Sequence, residues 1–152
     1  MITKKMFESC LTKQNELIEL FAECRNAEDT YQKIMDLGKS LPDLEQTWKT
    51  ENYRVQGCQS LMYLHSYLNE NGKVIFEGYS DALISSGLAA IMIKVYSEES
   101  PETILQCEPE FLDKLGIRTS LSPNRANGLA SLHLRMKQEA LRLMIESQSS
   151  GT

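Results

Sequence analysis

The residue with the clearest chemical potential in this chain is Cys58, within the segment VQGCQS at residues 55–60. Gly57 precedes it and permits a turn conformation that a Cβ atom would hinder. A cysteine on a turn can be exposed, and a thiol acts as a nucleophile when it is reachable and ionised. Cys58 is therefore a candidate nucleophile, set against the ordinary interpretation of a lone cysteine as structural.

The sequence places no evident activating group beside Cys58. Arg54 lies four residues earlier, and His65 belongs to the strand-like run that follows. His65 would act as a base only if that strand folded it back, so a histidine facing solvent or a polar partner is the favoured interpretation. No Cys-His-Asn or Ser-His-Asp set can be assembled, which argues against a stand-alone thiol enzyme.

Two charged residues near predicted helix starts are further candidates. Asp81 follows Ser80, a good N-cap, and a carboxylate in a first turn stabilises the positive end of the helix dipole. Arg125 falls in the first turn of the last predicted helix, where a cation opposes that dipole. Arg125 is therefore expected to have a partner, either a nearby carboxylate or an anionic group on another protein. An ion pair between Asp81 and Arg125 would satisfy both and is left open.

The other cysteines give no metal signature. Cys10, Cys24 and Cys107 are far apart in sequence, no C-x-x-C pair occurs, and neither histidine has ligand spacing from a cysteine pair. Four free thiols and no metal site are predicted. Cys10 lies on the apolar stripe of the first predicted helix and is expected to be buried. The roles of all three cysteines are left open.

Composition excludes several classes of function. The chain has 152 residues, 41% of them hydrophobic and 24% charged, with a net charge of −5. We predict one domain over residues 1–152, with a core at about 4–146 and a polar tail. An acidic chain without a basic cluster does not suit nucleic acid, and no apolar run approaches membrane-spanning length. The N-terminus resembles no signal or transit peptide, so a cytoplasmic location is predicted.

Hydrophobic periodicity predicts helices around a small sheet. A first helix is expected over about residues 4–24, and a second over 27–37, with Asn26 as its cap and Gly38 as its stop. An apolar central helix is expected from Ser80, short helical pieces after Ser100, and a long final helix from Ser122-Pro123. That final helix is expected to fray from Ser147. Its basic residues, Arg135, Lys137 and Arg142, are interpreted as a solvated face.

The middle of the chain changes to strand periodicity. Residues 61–68 and 73–78 predict a hairpin around the Asn71-Gly72 turn. Residues 53–55 would add a third strand if they pair as well, giving a three-stranded antiparallel sheet in an α+β fold. Trp48, in the irregular segment before it, either covers the core or binds a partner, and the first is favoured.

Four segments together resemble the SufE family, the sulfur-acceptor proteins that work beside cysteine desulfurases. The resemblance covers most of the chain and is carried by LGKSLP at 37–42, VQGCQS at 55–60, GYSDALI at 78–84 with Gly87-Leu88, and LSPNRANGL at 121–129. The order and separation of these segments also match. One such motif alone would be weak, but four in register are specific.

The resemblance implies a fold like that of the IscU-type cluster scaffolds and a persulfide acceptor at Cys58. Sulfur would come from a SufS-like, pyridoxal-phosphate-dependent cysteine desulfurase, which this chain would activate, and would pass to an iron–sulfur scaffold complex. The cofactor belongs to that partner, and this chain would need none. Gly57, Gln59, Asp81 and Arg125 match supporting positions. The alternative is an IscU-like metal scaffold, which would need several converging thiolates.

Overall fold

A computed structural model of the chain describes residues 7–150. Seven helices and two strands follow one another there, in the order α1 (Glu8–Leu20), α2 (Ala27–Lys39), β1 (Met62–Leu68), β2 (Val74–Ser80), α3 (Leu83–Tyr96), α4 (Pro101–Gln106), α5 (Phe111–Lys114), α6 (Ile117–Ser120) and α7 (Pro123–Ser150). Two single turns of 3₁₀ helix, Gln46–Trp48 and Glu51–Tyr53, precede β1. The α+β class predicted from sequence is confirmed.

The first two helices differ from the prediction at their ends. The predicted start of α1 at residue 4 lies outside the described residues, and the helix ends at Leu20. Asn26 caps α2 as predicted, since its side chain accepts the Asp29 N–H at 2.8 Å. The predicted stop at Gly38 is wrong, because α2 continues to Lys39.

Gly38 has a packing role instead of ending the helix. A Cβ atom there would lie 2.6 Å from the Leu83 carbonyl oxygen and 2.7 Å from the Gly87 nitrogen. A Cβ on Gly87 would in turn overlap the Ile34 carbonyl group. The two glycines therefore let α2 and α3 cross in backbone contact, which no larger residue would permit.

The predicted hairpin is confirmed. The two strands pair antiparallel, from Leu68 opposite Val74 at the turn to Met62 opposite Ser80 at the open end. The Asn69 side chain closes the turn by accepting backbone N–H groups two and four residues further on. Gly72 supplies the positive φ of 75° that the turn needs.

The predicted third strand is not confirmed, since the described residues contain two strands. Arg54 forms a single bridge with Tyr63, and the Val55 N–H donates to the Met62 carbonyl at 2.8 Å. The residues just before Arg54 form a 3₁₀ turn, and the turn at Gly57 follows two residues after Val55. Too few extended residues remain between those turns to form a ladder.

Helix α3 is the centre of the core and packs on α1, α2, α7 and β2. It begins at Leu83, not directly after Ser80, because Ser80 is still the last residue of β2. Helix α7 packs on α3 and buries Leu129, Leu132, Met136, Ala140 and Leu143. These contacts place the α7 backbone beside the segment that carries Cys58.

The predicted fraying from Ser147 is not seen over residues 147–150, where α7 remains helical, and residues 151–152 of the predicted tail lie outside the described residues. Glu146 and Arg142 form an ion pair at 2.9 Å with favourable i,i+4 spacing. No glycine or proline interrupts the helix between Gly128 and Gly151. Among the helices of residues 7–150, none has the length and apolar character that crossing a bilayer requires.

Candidate functional site

Cys58 lies on a tight loop of residues 55–60, here called the Cys58 loop. The loop runs from Arg54, which forms a bridge with Tyr63, to the start of β1. Gly57 has a φ of 91°. A Cβ atom at that position would overlap the Ser131 hydroxyl on α7. Both the backbone conformation and the close approach to α7 therefore favour glycine before the cysteine.

The Cys58 thiol rests against the α7 backbone. Its Sγ is 3.5 Å from the Gly128 carbonyl oxygen, to which the thiol donates. A Cβ on Gly128 would come within 3.6 Å of the sulfur. The thiol is half-buried.

The surroundings of Cys58 favour the neutral thiol. Burial raises the pKa of Cys58, and the positive charge of Arg54 offsets this only in part. The hydrogen bond to the Gly128 carbonyl also requires the proton to stay on sulfur. In this conformation the surroundings of Cys58 do not activate its thiol.

A cavity of about 420 Å³ opens beside Cys58. Its walls combine hydroxyl and amide groups with buried apolar side chains from β1, α3 and α7. They include Gln59, Ser60, Met62, Ser85, Leu88, Ser122, Asn124, Arg125, Leu129 and Leu132. The cavity can receive the Cys58 sulfur and an atom attached to it without exposing either fully to water.

Arg125 crosses the mouth of this cavity. Its Nη1 donates to Ser60 Oγ at 3.1 Å and to Ser85 Oγ at 2.9 Å. Among the described residues, no ion pair joins Arg125 to a carboxylate. The possible Asp81–Arg125 pair is therefore absent there, and the guanidinium keeps its charge beside the Cys58 loop with neutral partners only.

Asp81 has a different role from the helix-start acid predicted. Its carboxylate accepts the Leu61 N–H at 3.0 Å, and its own N–H donates to the Leu61 carbonyl at 3.1 Å. These two bonds tie the end of β2 to the residue that follows the Cys58 loop. Asp81 itself is exposed, as is Gln59.

Arg135 is a supporting residue that the sequence did not reveal. The sequence pattern indicates a solvated face for it, yet its side chain is only 18% exposed. Its guanidinium donates to the Asn52 and Arg54 carbonyls, each at 2.8 Å, and pairs with Glu139 at 3.5 Å. Arg135 thus fastens the base of the Cys58 loop to α7.

His65 is engaged elsewhere, on the outer face of the sheet. Its Nδ1 lies 2.8 Å from Glu77, and its ring stacks on Trp48 with centroids 3.7 Å apart. It is not among the residues that line the Cys58 cavity. Trp48 is half-buried and covers this outer face of the sheet, so neither predicted alternative describes it fully.

The remaining cysteines lie elsewhere. Cys10 is buried as predicted, and Cys107 is buried as well. Although remote in sequence, these two meet around the side-chain amide of Gln14. Cys24 is half-buried and separate. Within residues 7–150, no three His, Cys, Asp or Glu side chains are grouped so that they could hold a metal ion.

Comparison with known proteins identifies the family. The family model described as "SufE: Fe-S metabolism associated domain" matches residues 15–140. The chain belongs to the SufE family. This membership associates it with iron–sulfur metabolism, as the resemblance of the four motifs predicted.

Curated relatives cover most of the chain. It is 34% identical to SufE-like protein 1, chloroplastic/mitochondrial, of Arabidopsis thaliana over 91% of its length, but spans only 38% of that protein. It is 35% identical to an uncharacterized SufE-like protein of Rhizobium meliloti, covering 86% of this chain and 96% of the relative. An uncharacterized SufE-like protein of Synechocystis is 32% identical, with 90% and 84% covered.

A solved structure shares the fold. The solution structure of a hypothetical protein from Thermus thermophilus superposes with a TM-score of 0.71. The match covers 88% of this chain and 96% of the other at 24% identity. The cytoplasmic location predicted from sequence stays a prediction, because the Arabidopsis relative is named for organelles.

Proposed function

We propose that this chain is a sulfur carrier that takes a sulfane sulfur onto Cys58 from a cysteine desulfurase. It then delivers that sulfur to an iron–sulfur cluster scaffold. The observation that carries the proposal is the placement of Cys58, on a loop over a cavity of about 420 Å³, held by one hydrogen bond to Gly128. Membership in a family associated with iron–sulfur metabolism supports the same reaction.

The proposed transfer is an exchange between sulfurs. The Cys58 thiolate attacks the outer sulfur of the desulfurase persulfide, a new sulfur–sulfur bond forms, and the desulfurase cysteine leaves as a thiolate. Cys58 becomes a persulfide and the total oxidation state of the sulfurs is unchanged. The step needs no redox partner, metal or cofactor in this chain, since pyridoxal phosphate acts in the partner. The chain is accordingly proposed to be a carrier and activator, not an enzyme by itself.

The resting position of Cys58 accounts for the lack of a local base. Burial and the Gly128 carbonyl keep the isolated thiol neutral and unreactive. Docking on the desulfurase draws the Cys58 loop outward, which removes both effects and lets the thiol ionise. Gly57 supplies the backbone freedom for this movement, and Arg135 keeps the base of the loop fixed.

The cavity beside Cys58 protects the persulfide product. A persulfide is a stronger acid than a thiol, and once ionised it can no longer donate to the Gly128 carbonyl. The cavity beside Cys58 then offers the extra sulfur the hydroxyl donor of Ser60, whose oxygen accepts from Ser85, and the charge of Arg125. These groups stabilise an anionic sulfur and keep bulk oxidants away from it.

The test is sulfur transfer measured by intact mass. The chain is mixed with a pyridoxal-phosphate-dependent cysteine desulfurase and cysteine, then analysed without reductant. We expect the mass of one or more sulfur atoms to be gained, and Cys58→Ser to gain none. Stoichiometric iron without any sulfur gain would overturn the proposal and favour the scaffold alternative.

A further inference from the structure

A second sulfur centre lies apart from Cys58, between α1 and the segment after α4. Gln14 Nε2 is 3.7 Å from Cys10 Sγ and 3.7 Å from Cys107 Sγ. The same amide nitrogen donates to the Glu108 carbonyl at 3.0 Å, while Gln14 Oε1 accepts the Phe111 N–H at 3.2 Å. These two backbone partners fix the orientation of the amide and hold its nitrogen within hydrogen-bond reach of both sulfurs.

The two sulfurs differ in acidity. The thiol of Cys107 hydrogen-bonds to Cys10 and lowers the pKa of Cys10, against the opposing effect of burial; the Gln14 amide lowers it further. The same contact and burial raise the pKa of Cys107. Cys10 is therefore the more acidic sulfur of the pair. A thiolate next to a second thiol is the arrangement that oxidation converts to a disulfide.

Small molecules can reach this centre, but large ones cannot easily do so. Cys107 and Gln14 line a cavity of about 550 Å³, whereas Cys10 is not among the lining residues and contacts the Gln14 amide nitrogen at 3.7 Å. Cys10 is fully buried and Cys107 is 4% exposed. An oxidant of nearly the size of water can enter and meet the pair, whereas a protein partner cannot. This separates the centre from Cys58, which is half-buried on a loop.

We propose that Cys10 and Cys107 are a modification site, a dithiol that hydrogen peroxide oxidises to an internal disulfide. The Cys10 thiolate attacks one peroxide oxygen, the O–O bond breaks, hydroxide leaves and a sulfenic acid forms on Cys10. Cys107 then attacks the Cys10 sulfur, the S–O bond breaks, and its proton leaves with the oxygen as water. The two sulfurs lose two electrons to peroxide, and the hydroxide takes up the proton that Cys10 had released.

The disulfide would join α1 to the segment between α4 and α5. Because residues 10 and 107 are far apart in sequence, the link removes much freedom from the unfolded chain and should raise Tm. Under reducing conditions the pair stays as two thiols. The inference does not depend on sulfur transfer at Cys58, because the two centres share no residue.

The test uses the full chain with Cys24→Ser and Cys58→Ser, which leaves only the pair. The protein is exposed to hydrogen peroxide, freed of peroxide with catalase, denatured in a maleimide and weighed. We expect the mass of two hydrogen atoms to be lost, no maleimide to be added, and Tm to rise by roughly 5–10 °C. Dithiothreitol should reverse all three changes.

Two further variants in that background give the controls. Cys107→Ser should form no internal disulfide and show no rise in Tm. Gln14→Met keeps the side-chain volume and removes both N–H donors, so it should slow disulfide formation several-fold without changing the product. The proposal is overturned if both thiols of the parent still take up maleimide after peroxide that fully oxidises free glutathione, or if they gain oxygen atoms separately.

Discussion

The chain holds two sulfur centres that differ in almost every physical property. Cys58 is half-buried on a loop and fixed by a single hydrogen bond to a backbone carbonyl. The Cys10–Cys107 pair is buried between helices, with a shared amide donor that is itself fixed by two backbone groups. In the functions proposed above, the first sulfur leaves its site to meet a partner, whereas the other two react with each other or with a small molecule.

The acid–base properties of the two centres also run in opposite directions. Burial raises the pKa of Cys58, while the hydrogen bond from Cys107 lowers that of Cys10 despite burial. A buried sulfur whose pKa is lowered suits a centre that must react where it stands. A neutral, shielded thiol suits a centre whose reactivity is switched on by movement. Position in the fold, more than residue type, therefore decides what a cysteine does in this chain.

The largest expected effect comes from Cys58→Ser. The desulfurase turnover stimulated by this chain should fall to its level without the chain, because the nucleophile is gone. Unfolding free energy should change by less than about 1 kcal/mol, since the side chain is only half-buried. The matched control is Cys24→Ser, which should retain full stimulation in the same turnover assay. Equal loss in both variants would show that stimulation does not depend specifically on Cys58.

Gly57→Ala tests whether the loop depends on its backbone conformation. The variant forces a Cβ into a left-handed residue and against Ser131, so we expect a loss of about 1–3 kcal/mol in chemical denaturation and faster alkylation of Cys58. Gly72→Ala is the control, because its φ is also positive at 75° but nothing lies within 4 Å. It should lose about 1 kcal/mol and leave Cys58 labelling unchanged.

Arg135→Ala tests the anchor at the base of the loop. Losing the bonds to the Asn52 and Arg54 carbonyls should cost about 1–2 kcal/mol and speed iodoacetamide labelling of Cys58. Lys137→Ala is the matched control, since Lys137 makes only a long contact to Glu108 at 3.8 Å. If iodoacetamide labels Cys58 at the wild-type rate in both variants, Arg135 has no role in holding the loop.

The smallest effect is the pH dependence of Cys58 itself. Because the folded pKa of Cys58 is raised above its unfolded value, the folded state binds this proton more tightly than the unfolded chain does. The resulting contribution to stability is fully present below the unfolded pKa of about 8.5 and is lost as pH rises through the folded pKa. Alkylation of the native protein should therefore begin at higher pH than in the unfolded chain. Arg54→Ala should shift the profile higher still, since that charge lowers the pKa. A shift downward would contradict the assignment.

Much of this arrangement could be predicted from sequence. The hairpin follows from alternating residues around Asn71-Gly72, and the Asn26 cap from its residue type. The Cys58 loop and the family follow from four short motifs. These features are local, so a few neighbouring residues determine each of them.

The parts that sequence did not reveal depend on contacts between distant segments. Gly38 looked like a helix stop because the partner that needs its missing Cβ, Gly87, is on another helix. Arg135 looked solvated because its acceptors are backbone carbonyls about eighty residues away. Cys10 and Cys107 looked unrelated for the same reason. The small residues Gly128 and Ser131, three apart on one helix face, were the one available signal that a loop lies against α7.

The most direct test of the carrier role is to locate the transferred sulfur. After reaction with a desulfurase and cysteine, the chain is alkylated under denaturing conditions, digested, and its four cysteine peptides are analysed by mass. We predict that the extra sulfur is found on the Cys58 peptide, while Cys10 and Cys107 carry none. Sulfur distributed equally over all four peptides, or found mainly on Cys10 and Cys107, would contradict that role.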